Sequence, residues 1–462
     1  MKVLLVNPNL MRPPVSPVAL DILAEELQGA GFTPVLLDLA WSGDVQADID
    51  AALRQDYLFA AVSVRNTDTS FFPGSDACLQ THRQIVAHLR AAGLKVAVGG
   101  VGFSIAPDAA RDFLGADFAV AGDGEEAIVA LARALSNRWS LEKVPGLVGL
   151  APPARVDLSR RPPLSRRFVD NPRYLREGGQ VGVETKRGCP HGCIACADPL
   201  AKGRTVRARD PVAVAAEVRA LLAQGVDVLH TCDCEFNVPR QHAAAVCQEL
   251  IRQGLSDRLA WYAYCTPAGF DRELALLMRR AGCVGVDFSA DHGDPAMLAR
   301  LRCPHTVEDL RATADACREA GLRFMFDLLL GGPGETRASI LTTVELMRDL
   351  SPTRVGVSLG IRLYRGCPIT GEVDLTGKNP SAGLEYVFQP LTDPALLRPT
   401  YYRQGSLGED VGEWLEEVIG GDSRFFFAAR SHNYDGNERV SQLIREGARG
   451  AYWDILARAA GD

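Results

Sequence analysis

Val181-Gly182-Val183-Glu184-Thr185-Lys186-Arg187-Gly188-Cys189-Pro190-His191-Gly192-Cys193-Ile194-Ala195-Cys196 begins as a short apolar strand and runs into a loop with three cysteines at C-x3-C-x2-C spacing. Three thiolates that close together can hold three corners of an iron–sulfur cube and leave the fourth iron without a protein ligand. An open iron is a place for a substrate or cofactor to bind, so the loop points to catalysis rather than electron storage. Zinc is the competing reading, with His191 or a distant cysteine as fourth ligand. Three inert buried thiols fit poorly in a loop built from Gly, Pro and His.

From this strand onward, strand and helix patterns alternate. Val181–Thr185, Val228–Thr231, Trp261–Cys265, Gly285–Ser289, Arg323–Leu329 and Arg354–Leu359 read as strands, with amphipathic stretches such as Val212–Gln224 and Val307–Ala320 between them. Six such units predict a partial (β/α)6 TIM-type barrel with its chemistry at the C-terminal strand ends. The cysteine loop follows the first of those strands. Upstream, Lys2–Val6, Thr33–Leu39, Phe59–Val64, Val96–Val98 and Phe118–Ala121 alternate with helices and predict a doubly wound Rossmann-like α/β domain. Its strand ends carry Asn7-Pro8-Asn9, Ser63-Val64-Arg65-Asn66, Gly99-Gly100 and Gly122-Asp123-Gly124-Glu125, where glycines permit tight turns and close approach to a bulky ligand. The expected organisation is residues 1–145 for this domain, 146–178 for a Pro/Arg-rich linker, 179–375 for the barrel and 376–462 for a mainly helical C-terminal region. That last region, helical near Val411–Ile419 and Val440–Ala459, is expected over the barrel mouth as a substrate lid.

The 462 residues exceed one typical domain. A net charge of −7 argues against a nucleic-acid-binding protein. No apolar run reaches the length of a membrane span, and the N-terminus reads as a strand rather than a signal peptide. Twelve cysteines without a secretion signal fit a reducing cytoplasm.

The cysteine loop after a first barrel strand resembles that of the radical S-adenosylmethionine (radical SAM) superfamily. Asp233-Cys234-Glu235-Phe236, Ser289-Ala290-Asp291-His292-Gly293, Leu330-Gly331-Gly332-Pro333-Gly334-Glu335-Thr336 and Gly360-Ile361-Arg362-Leu363-Tyr364 resemble, in order, its D-x-x-F, E-S-G, G-x-P-G-E-T and G-I-R-x-Y elements. The upstream domain resembles the cobalamin-binding module fused to one branch of that superfamily, through Pro13-Pro14, Gly99-Gly100 and Gly122-Asp123-Gly124-Glu125-Glu126. The resemblance implies a [4Fe-4S] cluster on Cys189, Cys193 and Cys196, with SAM at its open iron. It implies cobalamin contacts at Asn7, Pro14, Ser63, Arg65, Asn66, Gly99, Gly100, Gly122, Asp123, Gly124 and Glu125. No D-x-H-x-x-G is present to offer cobalt a histidine. Arg65 is a candidate for the cobalt's lower face, against binding a cofactor phosphate or pairing with Asp68. Gly331, Gly332 and Gly334 are expected to offer backbone donors to SAM, and Arg362 to contact SAM or substrate. Asp291 and Asp233 are the candidate catalytic residues: Asp291 for SAM or the open iron, against merely capping the next helix, and Asp233 for the substrate. Two departures stand out. Ala195 replaces the aromatic residue usual before the third cysteine, and Asp291 is one methylene shorter than the usual glutamate.

The reaction this implies is transfer of a methyl group from SAM, by way of methylcobalamin, to an unactivated carbon of a small molecule or natural product. A 5′-deoxyadenosyl radical would activate that carbon, and a flavodoxin- or ferredoxin-type donor would supply electrons. The alternatives are a non-methylating relative that cyclises, rearranges or oxidises, polar methylation of an sp2 carbon or phosphorus without the radical, and a metal-bearing binding protein without turnover.

Overall fold

In the computed structural model, residues 1–69, 78–137, 140–373, 393, 395–427 and 437–459 are described. Five parallel strands, β1 (Lys2–Asn7), β2 (Thr33–Asp38), β3 (Ala60–Ser63), β4 (Val96–Gly99) and β5 (Phe118–Ala119), form an N-terminal sheet in the order 2-1-3-4-5. Val3, Leu4, Leu5 and Val6 are all fully buried. Leu4 and Val6 join one apolar cluster and Val3 and Leu5 another, as expected of a parallel strand covered on both faces. In this order the chain reverses direction between β1 and β3, and ligands bind at such a switch point. Asn7 and Ser63–Asn66 lie there.

The second sheet begins at β6 (Gly182–Val183). A two-stranded ribbon follows, β7 (Lys186–Arg187) against β8 (Arg207–Ala208). The sheet continues through β9 (Val228–Thr231), β10 (Ala260–Cys265), β11 (Cys283–Asp291), β12 (Arg323–Leu330) and β13 (Arg354–Leu359). Beyond β13, a short pair joins β14 (Ile361–Arg362) to β15 (Tyr401–Tyr402). The expected six barrel strands are present in order, and a seventh, β16 (Phe425–Phe427), adds to them in parallel beside β13. Outward-facing Trp261, Phe288, Phe326 and Val355 pack under the helices. The alternate residues, among them His230, Tyr264, Asp287 and Asp327, face inward.

The C-terminal region is built into the barrel more than it covers it. Helix Val411–Ile419 buries Val411 and Leu415 in the main core, and β16 completes the sheet edge. Trp453 and Asp454 reach the N-terminal strand ends, where the Tyr262 hydroxyl donates to Asp454 at 2.7 Å and Arg323 pairs with it at 2.7 Å. The end opposite the cysteine loop is thereby plugged. Among the described residues of this region, the stretch around β15 lies at the mouth. The expected boundary at 375/376 lies outside the described residues.

Residues 146–178 cross between the sheets as a packed segment. Arg166, with no exposed surface, donates to Asp21 of the N-terminal half at 2.9 Å and to Glu217 of the barrel at 2.7 Å. No helix among the described residues is long and apolar enough to cross a membrane.

Candidate active site

The cysteine loop is held by its backbone. Gly188 (φ 99°) has no room for a Cβ against the Thr205 carbonyl. The Cys189 amide donates to Gly203 O at 3.0 Å, Ile194 N to Leu301 O at 3.1 Å, and Ile369 N to Ile194 O at 3.1 Å. The three thiols lie within electrostatic reach of one another, and burial pushes Cys193 up to about 12, with Asp291 adding to the shift. Ala195, short of the expected ring, packs in a cluster with Leu363, Tyr364 and Tyr402, so aromatic surface comes from a different strand.

Asp233 is engaged by the strand that leads into the cysteine loop. Its carboxylate accepts from Thr185 N at 2.8 Å, Thr185 Oγ1 at 2.5 Å and Lys186 Nζ at 2.8 Å. Burial alone would raise its pKa; Lys186 and Thr185 hold it below the usual range. Asp233 therefore fixes the strand that leads into the cysteine loop, a positioning role in place of the expected catalytic one. The open carboxyl from the same turn is Glu235, which sequence reading passed over. Ser289 Oγ donates to its Oε1 at 3.1 Å, while Oε2 is buried without a partner. Burial, reinforced by the charge of Asp291, pushes Glu235 up to about 8.

Asp291 ends β11 in the left-handed region (φ 55°), a strained position for a residue with a side chain. It does not cap the next helix, because Asp294 takes that part by accepting from the Ala296 and Met297 amides. Its carboxylate instead accepts from the Cys303 thiol at 3.3 Å, close enough to Cys193 to influence that thiol.

The glycine loop after β12 is satisfied internally. The Gly331 and Gly332 amides both donate to Glu335 Oε2, the latter at 2.8 Å, and Gly334 N donates to Gln404 Oε1 at 2.8 Å. In this arrangement none of the three is free for SAM, contrary to expectation. Glu335 also pairs with His292 at 2.6 Å and so ties the end of β12 to the end of β11. Arg362 is likewise withdrawn from the site. Its guanidinium donates to Asp68 at 2.8 and 3.0 Å and to Leu396 O at 3.0 Å, locking the N-terminal sheet to the barrel. Asp68 is thus taken, and Arg65 makes its bond to Asn66 Oδ1 at 3.1 Å instead.

A cavity of about 600 Å³ separates the two sheets, a volume that suits a sizeable ligand. From the N-terminal side it is lined by Asn7, Ser63, Arg65, Asn66, Gly99, Gly100, Gly122, Asp123, Gly124 and Glu125. Glu184, Asp198, His230, Cys232, Asp233, Cys234 and Tyr264 face them from the barrel. Pro14 is not among the lining residues; its carbonyl accepts from Gln180 N and the Tyr452 hydroxyl. Gly100 (φ 114°) and Gly122 (φ 86°) are demanded by the protein itself, since a Cβ would meet the Val64 and Ala154 backbones. Asn7 Nδ2 already donates to Asp38 at 2.8 Å.

The cavity nevertheless retains what a ligand needs. Both ring nitrogens of His230 and Thr231 Oγ1, which line it, are buried and unpartnered, and such groups are ordinarily satisfied by something. Burial lowers His230 to about 4, so the ring is neutral at pH 7. These orphaned groups and the open face of the N-terminal loops fit a bound cofactor.

Asp123 and Glu125 act as the clamp at the cavity rim. Glu125 pairs with Arg187 at 2.6 Å and Arg161 at 2.9 Å, and Asp123 with Arg187 at 3.1 Å and with Arg207. Burial would raise Glu125, but Arg187 and Arg161 prevail and hold it at about 2. A depressed carboxylate contributes stability above its unfolded value near 4.5 and loses it as pH falls toward 2. Wild type should therefore exceed Glu125→Gln by roughly 3 kcal/mol at pH 7. Urea titrations at stepped pH should show the gap close between pH 4.5 and 2; a gap independent of pH would refute the clamp.

A cysteine loop at the barrel mouth, facing a switch-point cavity, is the layout of a two-cofactor enzyme. The Radical SAM superfamily family matches residues 183–347, and the B12 binding domain matches residues 11–132. The tryptophan 2-C-methyltransferase of Streptomyces laurentii is 33% identical over 437 residues, spanning 78% of this chain and 72% of that protein. A solved structure of the radical S-adenosylmethionine methyltransferase TsrM from Kitasatospora setae, with tryptophan substrate and the SAM analogue aza-SAM bound, is 30% identical with a TM-score of 0.90. The match covers 100% of this chain and 98% of that one. The same enzyme with cobalamin and a [4Fe-4S] cluster bound gives 0.88, covering 99% of each. The cobalamin-dependent radical enzyme OxsB, at 16% identity and a TM-score of 0.71, shares the fold. The chain belongs to the cobalamin-binding radical SAM enzymes, among their methyltransferases.

Proposed function

We propose that this chain methylates an sp2 ring carbon of tryptophan or a closely related indole, using SAM as methyl source. Cys189, Cys193 and Cys196 would hold a [4Fe-4S] cluster, and the loops around Ser63, Arg65, Gly99, Gly100 and Gly124 would hold cobalamin in the cavity. The observation that carries the reading is that one cavity is lined both by these loops and, on the barrel side, by Cys234 after β9 and by Asp198 in the helix that follows the cysteine loop. It is supported by the whole-length likeness to a methyltransferase solved with tryptophan. When bound, these groups supply a methyl carrier and a site at which SAM is held and activated.

The protein's own part is to bind, orient and exclude water. A guanidinium is a poor metal ligand, so Arg65, which lines the cavity, would hold the cofactor by hydrogen bonds and charge and not by ligating its metal. Tyr264, 39% exposed, offers a ring face to an aromatic acceptor inside the barrel. An sp2 carbon that gains a methyl group releases its proton, so the exchange is redox-neutral and consumes no external electrons. The polar alternative is thereby favoured over radical methylation of an unactivated carbon, to which the sequence reading gave first place.

Incubation of reconstituted enzyme with trideuteromethyl-SAM and L-tryptophan tests the assignment. The expected product retains all three deuteriums in one methyl group on the indole ring. Methylation at nitrogen, at a side-chain carbon or not at all would remove the proposal.

A further inference from the structure

Among the described residues, most carboxylates buried for structural ends meet a lysine or arginine. Asp21 and Glu217 have Arg166, Asp233 has Lys186, Asp68 has Arg362, and Asp454 has Arg323 and Arg458. Asp287 and Asp327 break this pattern. They lie on neighbouring strands of the inner barrel face, Asp287 opposite Met325 on β12 and Asp327 two residues beyond it. Gly356 on the next strand makes room for the pair, because a Cβ there would collide with Asp327 Oδ1. Asp287 is 5% exposed and its Oδ1 has no hydrogen-bond partner. Among the described residues no guanidinium or ammonium acts on either carboxyl. Burial, then the charges of Asp327 and Glu235, raise Asp287, and burial, then the charge of Asp291, raises Asp327 to about 7 even though Asp287 hydrogen-bonds to it. Such an arrangement costs stability unless something positive arrives.

Tyr264 stands beside them. It pairs with Asp287 across β10 and β11 and opens into the cavity. We propose that Asp287 and Asp327 bind the ammonium group of the methyl acceptor, which is therefore an aromatic primary amine whose ring lies on Tyr264. The inference rests on the proposed function and on reading the barrel interior behind Tyr264, at the wall of that cavity, as the acceptor site. SAM also carries an ammonium group. Asp287, however, sits four residues down β11 from Asp291, about 13 Å from the strand end that meets the cysteine loop. Asp327, opposite Ser289, lies nearer that end, so the SAM arm of the test below separates the acceptor's ammonium from that of SAM.

The test uses full-length, cluster- and cobalamin-loaded enzyme in equilibrium dialysis against L-tryptophan, tryptamine, phenylethylamine, 3-ethylindole and SAM. Wild type should bind tryptamine at least about tenfold more tightly than its uncharged counterpart 3-ethylindole, a comparison that needs no variant. Asp287→Asn and Asp327→Asn keep the side-chain size, and each should weaken amine binding about tenfold or more while SAM affinity stays within about twofold. Their melting temperatures without ligand should equal or exceed that of wild type, whereas a structural role predicts a fall. Equal affinity for tryptamine and 3-ethylindole, unchanged amine binding in both variants, or loss of SAM binding in their place would each overturn the inference. If tryptophan is methylated with unchanged KM in both variants, the inference fails and the proposed function stands. If phenylethylamine binding depends on the pair but no indole is methylated, the inference stands and the proposed function fails.

Discussion

Replacing Cys189, Cys193 and Cys196 together by alanine should reduce methylated product to background and abolish iron binding, yet leave a folded protein that still takes up cobalamin. The separation of effects follows from how the loop is built. Its path is set by backbone bonds from Cys189, Ile194 and Ile369 and by the steric demand at Gly188, none of which uses a thiol. The cobalamin cavity draws its walls mainly from β1, β3 and β4 and from β9 and β10, and none of the three cysteines lines it. The thiols are the parts that ligate iron, and without iron SAM has no anchor. Iron content, cobalamin uptake and product formation, measured on one preparation, check this. Retained turnover in the iron-free triple variant would contradict it.

Arg166→Met should be the most damaging single change to stability. It leaves Asp21 and Glu217, both without exposed surface, facing each other's neighbourhood with one cation fewer. Breaking a buried pair in this way costs roughly 3–5 kcal/mol. Arg209, which pairs with Glu217 at 2.6 Å, softens the loss on the barrel side, whereas Asp21 is left to Asn171 and backbone amides. Because Arg166 ties the two sheets together, the variant should also release cobalamin more readily. Adding Asp21→Asn should recover part of the stability by removing the stranded charge. Urea denaturation of both variants reads this out, and a double variant no more stable than Arg166→Met would argue against it.

The parts legible in sequence were those written in local pattern. Strand–helix alternation gave both sheets and the six barrel strands, and the tight cysteine spacing marked the loop that opens the site. What escaped depended on distant partners. Phe425-Phe426-Phe427 is too short to declare a strand until β13 offers an edge. Arg166 lies in a Pro/Arg-rich stretch that reads as solvated linker, and its burial is visible only once Asp21 and Glu217 converge. Asp233 and Glu235 are two residues apart; sequence favoured the first, but Lys186 occupies it and leaves the second open. The Gly331-Gly332-Pro333-Gly334-Glu335 turn looks like a set of free amides until Glu335 is seen to fold back on it. Asp287 and Asp327 sit in strands that otherwise read as ordinary apolar runs, and the parallel pairing of β11 with β12 is what sets them side by side.

The central claim is that the cysteine loop and the inter-sheet cavity together carry a methyl group from SAM to a ring carbon without net redox change. Its most direct test is quantitative mass spectrometry of SAM-derived products during anaerobic turnover with L-tryptophan and cobalamin. One S-adenosylhomocysteine per methylated indole, without matching 5′-deoxyadenosine, is the predicted result. 5′-Deoxyadenosine formed in step with product, or formed with no methylated product, would contradict it.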